Sequence, residues 1–302
     1  MAETNNLKQC FNQHSINLAS LAVQAVLYEV SCHPSPGLVS IVSSGAHKDM
    51  DYFTFLDSAV ALIQPLIQCA EAGFSSYLPQ QIFKEIRLIG QLGEQEMFAK
   101  TTGINTHKGM LFLLGICCAA GGKALYSGSH FSSLPTIIRD MTWGLVEREL
   151  SSRYNEFKNA DEFSLTYGEK LFLHHRVEGI RGEVQRGLPT VFGISLEFYK
   201  ASQGLSKRQR LVQTLVAIMQ SCEDSNILHR HGFETLREVQ ERAKRVIFLG
   251  GVETLQGMKE IEAMDRDFSI RKISPGGSAD LLGVTVFLQL LEDYMKKIEV
   301  GD

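Results

Sequence analysis

The sequence predicts an all-α protein, a single domain spanning residues 1–302 and built of roughly ten helices. Apolar residues recur at spacings of three and four along most of the chain, as they do where one helix face is buried. No run alternates apolar and polar residues, and no Asn-Gly or Asp-Gly pair marks a hairpin. The 302 residues suffice for one large core, and no linker is long or polar enough to divide them.

Taken in order, the periodic segments are "INLASLAVQAVLYEV" (16–30), "FTFLDSAVALIQPLIQCA" (53–70) and "QIFKEIRLIGQLGEQEMFAK" (81–100). An apolar helix then follows Lys108 and runs through Met110 to Ala120. Further helices are expected near 132–150, 161–176, 183–200, 206–220, 234–249 and 279–297. Polar loops separate them at 31–51, 101–109, 178–187, 221–232 and 271–280.

Hydrophobic residues make up 44% and charged ones 21%, a globular balance. A net charge of −4 argues against a nucleic-acid partner, which needs a broad basic field, but leaves room for a local pocket for a small polyanion. Six scattered cysteines without a C-x-x-C pair read as reduced thiols. The polar start "MAETNNLKQCFNQHS" has no secretory signal character, and the longest apolar run suits a buried helix better than a bilayer. A soluble, cytoplasmic protein with no membrane contact is expected.

The loops hold the chemistry. In "GINTHKG", Asn105 or Thr106 can cap a helix whose free amides, beside His107 and Lys108, would suit a phosphate; a capped helix with Lys108 in water fits the same residues. In "PSPGLVSIVSSGAHKDMD", His47 and Lys48 again suit phosphate. Asp49 and Asp51 could hold a divalent cation or cap the next helix. Glu223, Asp224 and Asn226 form a second possible oxygen cluster, or an Asx-type turn. Arg181 and Glu183 flank Gly182, and Gly276-Gly277 precede the last helix where a ligand could approach the backbone. The P-loop pattern fails, with Cys117 where glycine is required and Ala124 where Ser or Thr is. No H-E-x-x-H, G-x-S-x-G or G-x-G-x-x-G occurs. The residues alone thus indicate a nucleotide or polyphosphate ligand.

Together "PSPGLV", "SGAHKDMD", "GINTHKG", "RGE", "EDSN" with "HRHG" and "SPGGSADLL" resemble the triphosphoribosyl-dephospho-CoA synthase family, in its order and over essentially the whole chain. The resemblance implies an all-helical transferase, a pentosyltransferase that uses Mg²⁺. It converts ATP and 3′-dephospho-CoA to 2′-(5″-triphosphoribosyl)-3′-dephospho-CoA and adenine. The product is the prosthetic-group precursor of the citrate lyase acyl carrier protein, or of malonate decarboxylase in a related branch, and a holo-acyl-carrier-protein synthase is the implied downstream partner. Under this reading His47, Lys48, Asn105, His107, Lys108, Arg181, Gly276 and Gly277 face phosphates. Asp49, Asp51, Glu223, Asp224 and Asn226 surround the metal, and Glu183 or Asp280 is the catalytic base. The family loop usually reads Pro-Lys-Pro-Gly-Leu-Val-Asp, whereas Ser35 and Ser40 stand here in place of the lysine and aspartate. That departure leaves open a catalytically weak relative that binds ATP or a CoA derivative.

Overall fold

Asn12 starts the first helix, α1 (Gln13–Val30), by accepting the His14 amide at 2.8 Å. One stripe of α1 carries Leu18, Ala22, Ala25, Val26 and then Glu29 into the interior. The computed structural model describes residues 11–160 and 164–301, and among these residues it contains fourteen α-helices and no strand. The all-α expectation holds, with more and shorter helices than the periodicity suggests. Cys10 and residues 161–163, where a helix was expected to begin, lie outside the described residues.

The expected helix 53–70 is two, α2 (Tyr52–Ala61) and α3 (Ile63–Gly73), bent by 40°. Pro65 has no N–H for the residue 61 carbonyl, so the hydrogen-bond ladder restarts with the proline in a first turn, where it is tolerated. α4 (Pro79–Lys100) begins on a proline for the same reason, and α5 (Lys108–Tyr126) follows. The segment 132–150 keeps only α6 (Leu134–Met141) as α-helix. There the Thr142 hydroxyl bonds the Ile138 and Val184 carbonyls, and Gly144 turns the chain at φ +69°. Next come α7 (Tyr154–Asn159), α8 (Tyr167–His175), α9 (Gly179–Gln185) and α10 (Leu196–Ala201). Ser206 and Gln209 box the start of α11 (Lys207–Met219).

α12 (Ser225–Phe248) takes in most of the expected loop 221–232, and Gly232, at φ 79°, kinks it. Sequence periodicity missed α13 (Leu255–Arg271), although Thr254 caps it and Ile261, Met264 and Phe268 bury one face. α14 (Gly276–Gly301) closes the chain.

α5 is the one described helix long and apolar enough by composition to cross a membrane, and here it is the central post of the core. Around it stand α1, α3, α4, α6 and α14. On the other side of α14, α11 packs against α12, and α12 against α13. One contiguous apolar core runs from Leu18 on α1 to Met295 on α14. The N-terminal end of α5 stays open, and the loops converge on it.

Candidate active site

A cavity of ≈ 740 Å³ lies over the N-terminus of α5. Its walls come from the 31–51 loop, α4, α8, α9 and the starts of α12 and α14. That volume is in the range of small-molecule and cofactor sites. Of the residues expected in the site, His47, Asp49, Asn105, His107, Lys108, Arg181, Asn226, Gly276, Gly277 and Asp280 line it. Lys48 lies in an adjoining hollow with His47 and Asp49.

Four expected residues are elsewhere. Asp51 caps α2, its Oδ1 accepting from the Thr54 amide and hydroxyl, both at 2.9 Å; these bonds hold its carboxyl below the usual range. Asp224 is buried and accepts from the amides of Asn226 (3.0 Å), Ile227 (3.4 Å) and Ser278 (2.8 Å) and from the Ser278 hydroxyl (3.1 Å). It ties the N-termini of α12 and α14 together, and burial raises its pKa although the Ser278 and Ile227 bonds oppose the rise. Glu223 is exposed and outside the cavity lining. Glu183 accepts from the Thr190 amide (2.8 Å) and hydroxyl (3.2 Å), holding α9 to the chain that follows.

Burial lowers the pKa of both site histidines, His47 and His107. His107, expected as a cation, is buried at the start of α5, and burial drops its pKa to about 3. Its Nδ1 is 2.7 Å from the Ser58 hydroxyl, which accepts at 2.6 Å from the Thr106 hydroxyl. The His107 Nε2 is buried and has no hydrogen-bond partner among the described residues. His47 bonds the Ser274 hydroxyl through Nε2 at 2.9 Å, with burial first and the Arg230 charge second lowering its pKa.

Three of the cations lining the cavity are already paired. Lys108 is bridged to Glu94 of α4, and Glu149 takes both Arg87 and Arg181 at 2.8 Å each. Arg87 also sits over the Phe112 ring, 5.5 Å from its centroid. Glu94 and Arg87 look like members of an ordinary solvated helix face in "FKEIRLIGQLGEQE", which is why sequence reasoning passed over them.

The carboxylates at the base are different. Asp280, on the first turns of α14, lies against the second residue of α5, and a Cβ at Gly109 would overlap its Oδ2. Burial, then the neighbouring carboxylates of Glu29 and Asp224, push the Asp280 pKa well up. Glu29, from α1, borders the same cavity, and burial raises its pKa to about 8. Neither side chain has a cationic partner among the described residues. Sequence reasoning missed Glu29. Its one signal is a carboxylate placed three residues after Val26 on an otherwise apolar stripe. The Glu29 charge raises the Asp280 pKa, so ionising both carboxyls at once is disfavoured and one can accept a proton while the other stays neutral.

Ser35 and Ser40 do not line the cavity. Both are buried in the loop, where Ser40 accepts the Val42 and Ser43 amides at 3.3 Å and the Ser35 hydroxyl has no partner.

Residues 15–299 match the model of the family described as CitG, ATP:dephospho-CoA triphosphoribosyl transferase. A protein of Lactiplantibacillus plantarum called a probable 2-(5″-triphosphoribosyl)-3′-dephosphocoenzyme-A synthase is 40% identical over 91% of this chain and 96% of its own length. One of the same description from Malonomonas rubra is 36% identical over 95% of this chain and 91% of its own. Another from Streptococcus mutans is 33% identical over 92% and 97%. No solved structure matches.

Proposed function

The chain belongs to the CitG family of ATP:dephospho-CoA triphosphoribosyl transferases, and from that premise we propose that it transfers the triphosphoribosyl group of ATP to the 2′-hydroxyl of 3′-dephospho-CoA, releasing adenine. The observation that carries the placement of the reaction is the Glu29–Asp280 pair, free of cations at the base of a nucleotide-sized cavity.

Asp280 is the general base. The bond between C1′ and adenine N9 breaks with its electrons leaving on adenine, and the acceptor 2′-oxygen bonds C1′. The hydroxyl proton passes to Asp280 and, over the full cycle, to the departing adenine. Ordinary carboxylates are weak bases at neutral pH, so a raised pKa brings Asp280 closer to the useful range. Glu29, its pKa raised by burial to about 8, holds its proton near neutral pH and limits the charge that builds up beside Asp280. His107, buried in the cavity wall, fixes the start of α5 through its bond with Ser58. Lys108 and the Arg87–Glu149–Arg181 bridge position phosphates.

Magnesium fits this donor set as a partner of the nucleotide. Among the described residues no three His, Cys, Asp or Glu side chains form a cage, which suits a cation held chiefly by phosphate oxygens and water. Asp49, exposed at the cavity edge, and Asn226 are the expected ligands left free to reach it. When bound, Mg²⁺ would offset the charge of the triphosphate. A cytoplasmic location, and delivery of the product to a holo-acyl-carrier-protein synthase serving citrate lyase, follow from the same reading.

The test is adenine release from ATP, by chromatography, with Mg²⁺ and with or without 3′-dephospho-CoA. Release that needs the acceptor, with a triphosphoribosylated product by mass, is expected. ATP binding without release would sink the transferase reading.

A further inference from the structure

Beside the cavity lies a second hollow of ≈ 470 Å³, walled by His47, Lys48, Asp49, Arg230, His231 and Lys272. It shares His47, Asp49 and Arg230 with the main cavity, so the two spaces adjoin. Its charge distinguishes it. Lys48, Arg230 and Lys272 are permanent cations exposed to solvent, and none makes an ion pair or side-chain hydrogen bond among the described residues. Asp49 is the one carboxylate among them, and it sits 3.7 Å from His47 Nδ1. In the main cavity, by contrast, Lys108, Arg87 and Arg181 each already have a carboxylate partner.

The hollow is also built rather than loose. The His231 ring nitrogen Nε2 donates to the Lys272 carbonyl at 3.0 Å, joining α12 to the end of α13. The His47–Ser274 bond, at 2.9 Å, fastens the 31–51 loop to the turn before α14. Three separate chain segments are thus held so that their cations converge on one space, an arrangement that costs repulsion unless an anion occupies it.

We propose that this annexe is a polyphosphate subsite that takes the β- and γ-phosphates of the nucleotide while the ribose reaches the Glu29–Asp280 pair. The inference rests on the transferase reading for which substrate supplies the phosphates, but not for the binding of polyphosphate itself. Both substrates carry phosphate chains. The triphosphate is the more highly charged, and it suits a hollow whose three unpaired cations outnumber its one carboxylate, Asp49. The diphosphate of 3′-dephospho-CoA matches the single net charge of the Arg87–Glu149–Arg181 bridge. Arg230 and Lys272 would then favour ATP over ADP, because the γ-phosphate adds negative charge for them to neutralise.

Inorganic tripolyphosphate, titrated calorimetrically into the full chain, tests the subsite without turnover. Wild type is expected to bind, and Lys272→Ala and Lys48→Ala to weaken binding about tenfold each, the scale of one lost charge-assisted contact. Lys272 has a positive φ of 57°, so Lys48→Ala, on the loop, is the check free of backbone strain. Lys48→Arg should retain binding. Equal affinity in wild type and both alanine variants overturns the subsite. In the adenine-release assay the same variants should raise KM for ATP about tenfold, leave the acceptor's KM unchanged and reduce the ATP-over-ADP preference. A rise confined to the acceptor's KM overturns the assignment to ATP. Loss of tripolyphosphate binding in the variants, with no adenine release even from wild type, would support the subsite and refute the transferase.

Discussion

The two ends of α5 use glycine for opposite purposes. At its C-terminal end Gly122 lets the helix press against α3, and a Cβ there would overlap the Ala70 carbonyl oxygen. At its N-terminal end Gly109 leaves room for the Asp280 carboxylate, and a Cβ there would meet a side chain instead. Backbone held in two packed helices cannot move away, whereas a carboxylate bordering a cavity can swing aside. The first glycine therefore protects the fold, and the second protects the placement of one functional group.

The largest expected effect lies at the open end. Asp280→Asn keeps the shape and removes the base, so adenine release should fall about 10²–10⁴-fold, the usual contribution of general base catalysis. Thermal unfolding should change little or shift upward, because a buried carboxyl is lost. A variant that keeps more than about a tenth of wild-type activity would move the base elsewhere.

The glycines sharpen the contrast directly. Gly122→Ala should lower stability by about 1–3 kcal/mol or more through overpacking, read from denaturant unfolding, with residual activity following the folded fraction. Gly109→Ala should unfold near the wild-type midpoint yet lose about tenfold or more in kcat through displacement of Asp280. If both variants unfold alike, the two ends of α5 do not differ in the way the packing indicates.

Glu29 gives a smaller effect, in stability. Burial lifts its pKa from 4.5 to about 8, so over that window the folded chain holds a proton that the unfolded chain has released. Its contribution is therefore complete below pH 4.5, declines as pH rises and levels off above about pH 8. Glu29→Gln removes this dependence. Its stability relative to wild type should grow between about pH 5 and about pH 8, by at most a few kcal/mol, while adenine release falls. A pH-independent difference in Tm would mean that Glu29 is ionised in the fold.

Much of this site was legible because its residues sit in short polar interruptions of an apolar pattern. His47, Asn105, Lys108, Arg181, Asn226, Gly276 and Asp280 come from five separate loops or helix starts and meet in one cavity. What could not be read has physical reasons. Capping and metal binding use the same carboxylates, so Asp51 and Asp224 look identical in sequence whichever they do. Arg87 and Glu94 lie where a solvated face is the ordinary expectation. Glu29 hides in a helix otherwise rich in alanine, valine and leucine. Periodicity also carries across a bend, which is why α2 and α3 read as one helix, with Pro65 the overlooked break.

Asp51 provides the smallest and most discriminating effect. Its carboxylate accepts the Thr54 amide while the Thr54 hydroxyl accepts the Asp51 amide at 3.2 Å, a reciprocal cap for α2. This carboxylate serves a helix end and lies outside the cavity lining. Asp51→Ala should therefore lower Tm modestly, while Asp51→Asn or Asp51→Ser, both good caps, should restore it. The Mg²⁺ concentration for half-maximal adenine release should stay the same in all three. The parallel change Asp49→Asn should raise that concentration without altering Tm. If Asp51→Ala shifted the Mg²⁺ requirement and Asp49→Asn did not, the metal would belong at the helix cap and not at the cavity edge.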